Sequence, residues 1–230
     1  MKRLILPFLS VGLLLGTTAH AATPLKTEQD KLSYSMGVMT GKAFRKHDIK
    51  IDPQTFSMGL SDAYLGKETQ MTEAEMRQTL QQFQKQSLQK MQHKMKQTAQ
   101  QNAEKSRAFL TANKNKPGVK TLANGLQYKV LQAGQGQSPT LNDEVTVNYE
   151  GRLINGTVFD SSYKRGQPAT FPLKSVIKGW QEALTRMKPG AIWEIYVPPQ
   201  LAYGEQGAPG VIGPNEALIF KVNLISVKKK

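Results

Sequence analysis

Cysteine is absent from the 230 residues. That excludes disulfide staples and a lipid-modified N-terminal cysteine. Histidine is scarce too: His20, His47 and His93 fall in three separate segments, so no metal cluster is suggested, and neither metal nor cofactor is expected. Long apolar runs are also missing. Leu4 to Gly16 is the longest, well short of the ~20 residues that a membrane-spanning helix needs. With Lys2 and Arg3 ahead of it and Ala19-His20-Ala21 behind, this run has the parts of a secretory signal over residues 1–21. The mature chain is expected to start near Ala22, to be exported, and to carry no integral membrane segment. Acidic residues are few, 17 against 31 basic, for a net charge of +14. The excess is spread over both halves and gathers only in the tail Lys228 to Lys230, without interleaved aromatics, so a nucleic-acid partner is not expected. A general attraction to anionic surfaces, screened within about 8 Å at physiological salt, is what the charge supports.

Glycine and proline are missing from Thr72 through Lys116. The stretch opens on the capping box Thr72-Glu73-Ala74-Glu75, and its richness in Gln, Lys, Met and Ala predicts one helix about 60 Å long within residues 71–115. Its apolar positions Met76, Leu80, Phe83, Met91 and Met95 thin out along the way, which suits a solvated spacer between two bodies. A coiled coil needs sustained heptads, and only the first part offers them.

Ahead of it, Thr27 with Asp30 predicts a helix start, and Leu32, Met36, Met39, Ala43 and Phe44 form one apolar face. Asp52-Pro53 starts a second helix through Phe56, Leu60, Ala63 and Tyr64, ended by Gly66. Gly37 and Gly41 either let another helix come close or simply weaken their own by roughly 1 kcal/mol each. Two short amphipathic helices give too little core for a stable monomer, and methionine-rich faces adapt readily to partner helices. Residues 22–70 are therefore expected to be an all-helical dimerisation domain that pairs two chains.

Beyond Lys116-Pro117-Gly118 the period changes from 3.6 to 2. Leu126, Tyr128 and Val130 alternate, as do Val145, Val147 and Tyr149; Asn155-Gly156 marks a tight hairpin; Ile192 to Val197 and Leu218 to Val227 are further strands. At least five strands with one helix, Val176 to Met187, predict an antiparallel sheet packed on a helix. Between strand-like segments sits Val176-Ile177-Lys178-Gly179-Trp180. Two readings are open for the indole: core filler, or the floor of a pocket.

The series Val147-Asn148-Tyr149-Glu150-Gly151, Gly156 to Ser162, Val176 to Trp180, Pro198 to Gly204 and Pro214-Asn215 to Phe220 resembles the FKBP-type peptidyl-prolyl cis-trans isomerases over about 110 residues in order and spacing. The signal, small helical unit and long helix resemble the macrophage infectivity potentiator (Mip) group of that family. The resemblance implies an α+β fold: an FKBP-like antiparallel half-barrel sheet wrapped on a short helix over residues 116–230, joined by the long helix to the N-terminal dimerisation unit. It implies a V-shaped homodimer, at the periplasm or outer-membrane or cell surface, with proline-containing polypeptides as substrates and macrolide inhibitors as ligands. Carried over by position, Tyr149, Phe159, Val176, Ile177, Trp180 and Phe220 match the apolar lining. Tyr203 and the Ile177 N–H match donors to a substrate carbonyl, Asp160 the pocket carboxylate, Arg165 its partner, and Ile212 an apolar residue in the loop over the site. Two positions depart from the pattern: Ala169 stands where a second aromatic is common, enlarging the rim, and Gly213 stands where Ile-Pro-Pro is usual, loosening the loop.

Isomerising an X-Pro bond needs no nucleophile, metal or redox centre, only passage over a barrier of about 18–20 kcal/mol set by amide conjugation. A dry apolar pocket disfavours the planar, more dipolar amide relative to the twisted one, and donors placed for the twisted geometry add differential binding. Asp160 either stabilises positive character at nitrogen or holds Arg165 and Tyr149 in place. Glu182 and Glu194 read as solvated surface, and Ser161 and Ser162 as turn or cap residues. An exported, dimeric isomerase with folding-helper activity is the leading expectation, and a role in infection is what the Mip resemblance implies. A proline-recognising binding or adhesion module with incidental turnover, and an electrostatic surface binder, are the alternatives.

Overall fold

The computed structural model describes residues 24–230; the secretory signal expected over residues 1–21 lies outside them. The chain divides into two compact units between Glu75 and Met76.

In the first unit, helix α1 (Glu28–Lys46) is closed by the Thr27/Asp30 capping box and α2 (Pro53–Tyr64) by Asp52, which accepts from the Thr55 N–H, with Pro53 in the first turn. These are the starts that the local sequence dictates. Phe44 and Phe56 meet edge to face at 5.4 Å. Beyond that contact the apolar face is uncovered: neither helix has a buried residue, and Leu32, Met36, Met39 and Leu60 are all more than half exposed. Space is open where side chains at Gly37 and Gly41 would begin.

Helix α3 (Glu73–Asn113) runs for 41 residues from the Thr72/Glu75 box, the length expected. It stops before Pro117, whose predecessor is driven out of helical geometry. Of its residues only Ser106 and Asn113 are buried, both near the C-terminal end.

In the second unit seven antiparallel strands form one sheet: β1 (Val119–Thr121), β2 (Gln127–Gln132), β3 (Glu144–Leu153), β4 (Val158–Ser161), β5 (Ala169–Pro172), β6 (Ile192–Val197) and β7 (Leu218–Lys228). Their order is β1-β2-β6-β7-β3-β4, with β5 also paired to β3. The β3–β4 turn is the Asn155-Gly156 hairpin, Gly156 at φ 88°. Strand β3 alternates strictly, Val145, Val147, Tyr149, Gly151 and Leu153 facing inward. Helix α4 (Lys178–Leu184) lies on this inner face, and Leu126, Val147, Leu173, Leu184, Ile195, Leu218 and Val222 close a single core there. It is shorter than the expected Val176 to Met187: Ile177 caps it in an extended conformation, and Val176 precedes it as irregular chain. Gly179 permits the seating, since a Cβ there would stand 2.4 Å from Val197 Cγ1. Tyr196, between core residues Ile195 and Val197, points the other way and meets Phe109 of α3 at 6.0 Å.

One electrostatic clasp fixes the edge of this unit. Asp143, 1% exposed, accepts from the Thr140 N–H at 2.7 Å, from Lys229 Nζ at 2.9 Å and from the Lys230 N–H at 3.2 Å. The Thr140 amide and then the Lys229 ammonium outweigh burial and hold the carboxyl well below its usual range. A depressed carboxylate pKa stabilises the fold above the unfolded value of about 3.9 and loses that contribution as pH falls below it. Asp143→Asn is accordingly expected to lower the Tm at pH 7, with the gap to the parent chain narrowing as the pH is taken below about 4. Thermal melts across that range check it; a gap that stays constant refutes the linkage.

Among the described residues no helix is long and apolar enough to cross a membrane.

Candidate functional site

Strands β3, β4, β5 and β7 and the start of α4 converge on a hollow of about 320 Å³. Strand β3 supplies Tyr149; β4 supplies Phe159 and Asp160; β7 supplies Phe220; the chain entering α4 supplies Val176, Ile177 and Trp180; and the loop after β6 supplies Tyr203. Eight of the ten residues expected at the site thus line one hollow.

Trp180 is its floor. The indole is 4% exposed yet faces the hollow, held by edge-to-face contacts with Tyr149 at 5.1 Å, Phe220 at 5.3 Å and Phe171 at 6.2 Å. Its Nε1–H has no hydrogen-bond partner among the described residues. Phe159 stands edge to face on Phe220 at 5.6 Å, and the two rings cross over Gly151. The floor and one wall are therefore aromatic and apolar.

The polar side is one network. Tyr149 donates its hydroxyl proton to Asp160 Oδ2, Arg165 Nη1 donates to Asp160 Oδ1, and Arg165 Nη2 donates to the Tyr149 hydroxyl oxygen at 2.8 Å. Burial pushes the Asp160 carboxyl up, but the Tyr149 and Arg165 bonds together outweigh it and hold the pKa below the usual value. Burial, and then the bond to Asp160, push the Tyr149 phenol up, so it stays a donor. Asp160 is thus a charged carboxylate with both oxygens engaged. Tyr203, 42% exposed, makes no hydrogen bond through its hydroxyl within the described chain, and neither does the Ile177 N–H. Two free donors and an ionised acid around an aromatic floor can bind a carbonyl and an apolar ring together; they offer no nucleophile.

Arg165 stands outside the lining and bonds to Asp160 and to the Tyr149 hydroxyl. Ile212 is buried, pairs with Ala208, and is not among the lining residues. Sequence reasoning missed Phe171 and Ser175. The signal for Phe171 was its spacing: it lies two residues after Ala169, hence on the same face of β5, so an aromatic is present although Ala169 carries none. Ser162 is a turn residue, its Oγ accepting from the Tyr149 N–H at 2.9 Å, while Ser161 closes strand β4 and its Oγ accepts from the Lys164 N–H of the turn at 3.3 Å. Glu194 departs from expectation. It is not freely solvated surface but accepts from Arg152 and, at 2.6 Å, from the Tyr196 hydroxyl, because the sheet brings β6 near β3.

Comparison with known proteins places this geometry. Residues 135–225 match the FKBP-type peptidyl-prolyl cis-trans isomerase family, and residues 29–130 match the domain amino terminal to it. The chain is 47% identical over 231 residues to the outer membrane protein MIP of Legionella longbeachae, covering 100% of this chain and 99% of that one. It is 46% identical over 198 residues, 85% of this chain and 73% of the other, to a probable FKBP-type peptidyl-prolyl cis-trans isomerase, FkpA, of Neisseria meningitidis. The crystal structure of FkpA from Escherichia coli superposes with a TM-score of 0.72 at 39% identity, covering 89% of this chain and 99% of that one. An aromatic hollow of this build, on a sheet of this order and preceded by this helical segment, makes the chain a member of the FKBP-type peptidyl-prolyl cis-trans isomerases, of the Mip and FkpA kind.

Proposed function

We propose that the Trp180 hollow is where this isomerase turns X-Pro bonds. The proline ring rests on the indole between Tyr149, Phe159, Val176 and Phe220, while the Tyr203 hydroxyl and the Ile177 N–H bind substrate carbonyls. The observation that carries this reading is an apolar floor beside two unpaired donors. Rotation about the bond removes amide conjugation and makes the group less dipolar, so an apolar, water-poor floor favours the twisted form. Donors matched to that form lower the barrier further. Asp160 keeps its negative charge beside the ring nitrogen and, through Arg165, keeps the Tyr149 ring upright; a part for Ile212 in ligand binding rests on the family resemblance alone. Macrolide inhibitors of the family are proposed ligands of the same hollow.

In a protease-coupled assay on a short X-Pro peptide, Asp160→Ala is expected to lower kcat/KM about tenfold, or roughly 1.4 kcal/mol of barrier. An Asp160→Ala chain turning over at the parent rate removes the carboxylate from catalysis. If the peptide binds the hollow without any turnover, the chain is a proline-recognising adhesion module.

The proposal extends to the whole chain: a signal at 1–21, a dimerisation domain at 22–70, a connecting helix at 71–115 and an isomerase domain at 116–230. The uncovered face of α1 and α2 supports pairing of two chains through it. Light scattering on the mature chain is expected to give a dimer mass at micromolar concentration; a monomer mass removes this part. Export to the periplasm or outer surface is supported by the printed name of the Legionella longbeachae relative. Folding-helper activity and a role in infection rest on likeness to the Mip group.

A further inference from the structure

The loop that carries Tyr203 is not held by the isomerase sheet alone. Three side-chain bonds reach it from α3. Asn102 Nδ2 donates to the Pro214 carbonyl at 2.9 Å. Ser106, 2% exposed, donates to the Asn215 carbonyl at 2.8 Å and accepts from the Ala217 N–H at 2.8 Å. Asn215 Nδ2 donates in turn to the Ala99 carbonyl at 3.3 Å. Asn215 sits at φ 56°, a left-handed conformation that Asn tolerates better than most residues, and its N–H donates to the Gly204 carbonyl at 2.8 Å. Gly204 is the residue after Tyr203. A continuous set of bonds therefore runs from a buried helix hydroxyl, through Asn215, to the carbonyl of Gly204, the chain neighbour of the proposed substrate donor.

Gly213 explains why the helix can reach in. A Cβ at that position would stand 2.9 Å from Asn102 Nδ2, so the missing side chain makes the room that Asn102 uses. The residue that loosens this loop in sequence is the one that lets α3 grip it.

We propose that Ser106 and Asn102 are positioning residues of the isomerase: α3 holds the 213–217 loop and, through Asn215, sets where the Tyr203 hydroxyl stands. This rests on the Trp180 hollow being the site and on Tyr203 being a donor there. Bonds of this kind hold a group in productive geometry, where small displacements are heavily penalised.

A double-mutant cycle on the full chain tests it. Ser106→Ala is expected to lower kcat/KM on an X-Pro peptide about fivefold in the parent background but less than about 1.5-fold in a Tyr203→Phe background, because the coupling exists only while the hydroxyl does. Equal losses in both backgrounds, or no loss in either, overturn the proposal. So does a Tyr203→Phe chain with the parent rate, although that result leaves the isomerase reading standing if Trp180→Ala is inactive. Amide exchange gives a readout independent of activity. The Asn215 N–H, which does not touch Ser106, is expected to exchange at least about tenfold faster in Ser106→Ala. Unchanged exchange there overturns the proposal even if activity falls, and a parent chain without isomerase activity sinks the site reading and this proposal with it. Asn102→Ala, at a half-buried position, repeats both arms should Ser106→Ala not fold.

Discussion

Trp180→Ala is expected to abolish measurable X-Pro isomerisation, a loss of at least about 100-fold in kcat/KM, and to lower stability by roughly 3–5 kcal/mol. The stability term follows from the packing: the indole is 4% exposed and makes edge contacts with three rings, so its removal leaves a void that the sheet cannot collapse to fill. The activity term follows from position, since the same ring floors the hollow in which the prolyl group is proposed to rest. The two are separated by assaying well below the variant's melting temperature, with circular dichroism showing native secondary structure. Trp180→Phe keeps an apolar floor and is expected to retain a large part of the rate. A folded Trp180→Ala chain with parent activity contradicts the account.

The second large effect belongs to a residue with no side chain. A Cβ at Gly151 would fall 2.7 Å from Phe220 Cε1 and 2.8 Å from Phe159 Cε2 and Cζ. Those atoms belong to flat rings locked edge to face in the wall, so they have little freedom to turn aside. Gly151→Ala is expected to destabilise by about 1–3 kcal/mol and to cut kcat/KM by more than about tenfold, because both wall rings move into the space proposed for the proline ring. Gly156→Ala serves as the contrast: its Cβ meets open space, although its φ of 88° strains any side chain. That variant should lose stability and keep its rate. If Gly151→Ala leaves the rate intact, the wall rings do not shape the site.

What the sequence made legible divides by range. Helix starts at Thr27, Asp52 and Thr72 were readable because each cap and its partner lie three residues apart. The alternation of β3 was readable because one of its faces is buried throughout. Strands β1 and β5, with three and four residues, carry no periodic signal, and the first turn expected of α4 is instead an extended cap at Ile177. The lining of the candidate site was legible through its motifs. The spacing of Tyr149, Asp160 and Arg165 along the chain does not by itself announce a shared network. Glu194 read as surface since its Arg152 partner becomes a neighbour only once β7 lies between β6 and β3. Ser106 and Asn102 look like any polar residues on a solvated helix; their partners are more than a hundred positions away.

The central claim is that the Trp180 indole floors an open hollow that receives a proline ring. Among the chain's two tryptophans, Trp193 is an internal control: it is stacked on Tyr128 at 4.4 Å and does not line the hollow. Titrating the 15N-labelled chain with a short X-Pro peptide is predicted to shift the Trp180 indole N–H resonance saturably and to leave that of Trp193 in place. An unmoved Trp180 resonance at peptide concentrations that saturate turnover contradicts the account.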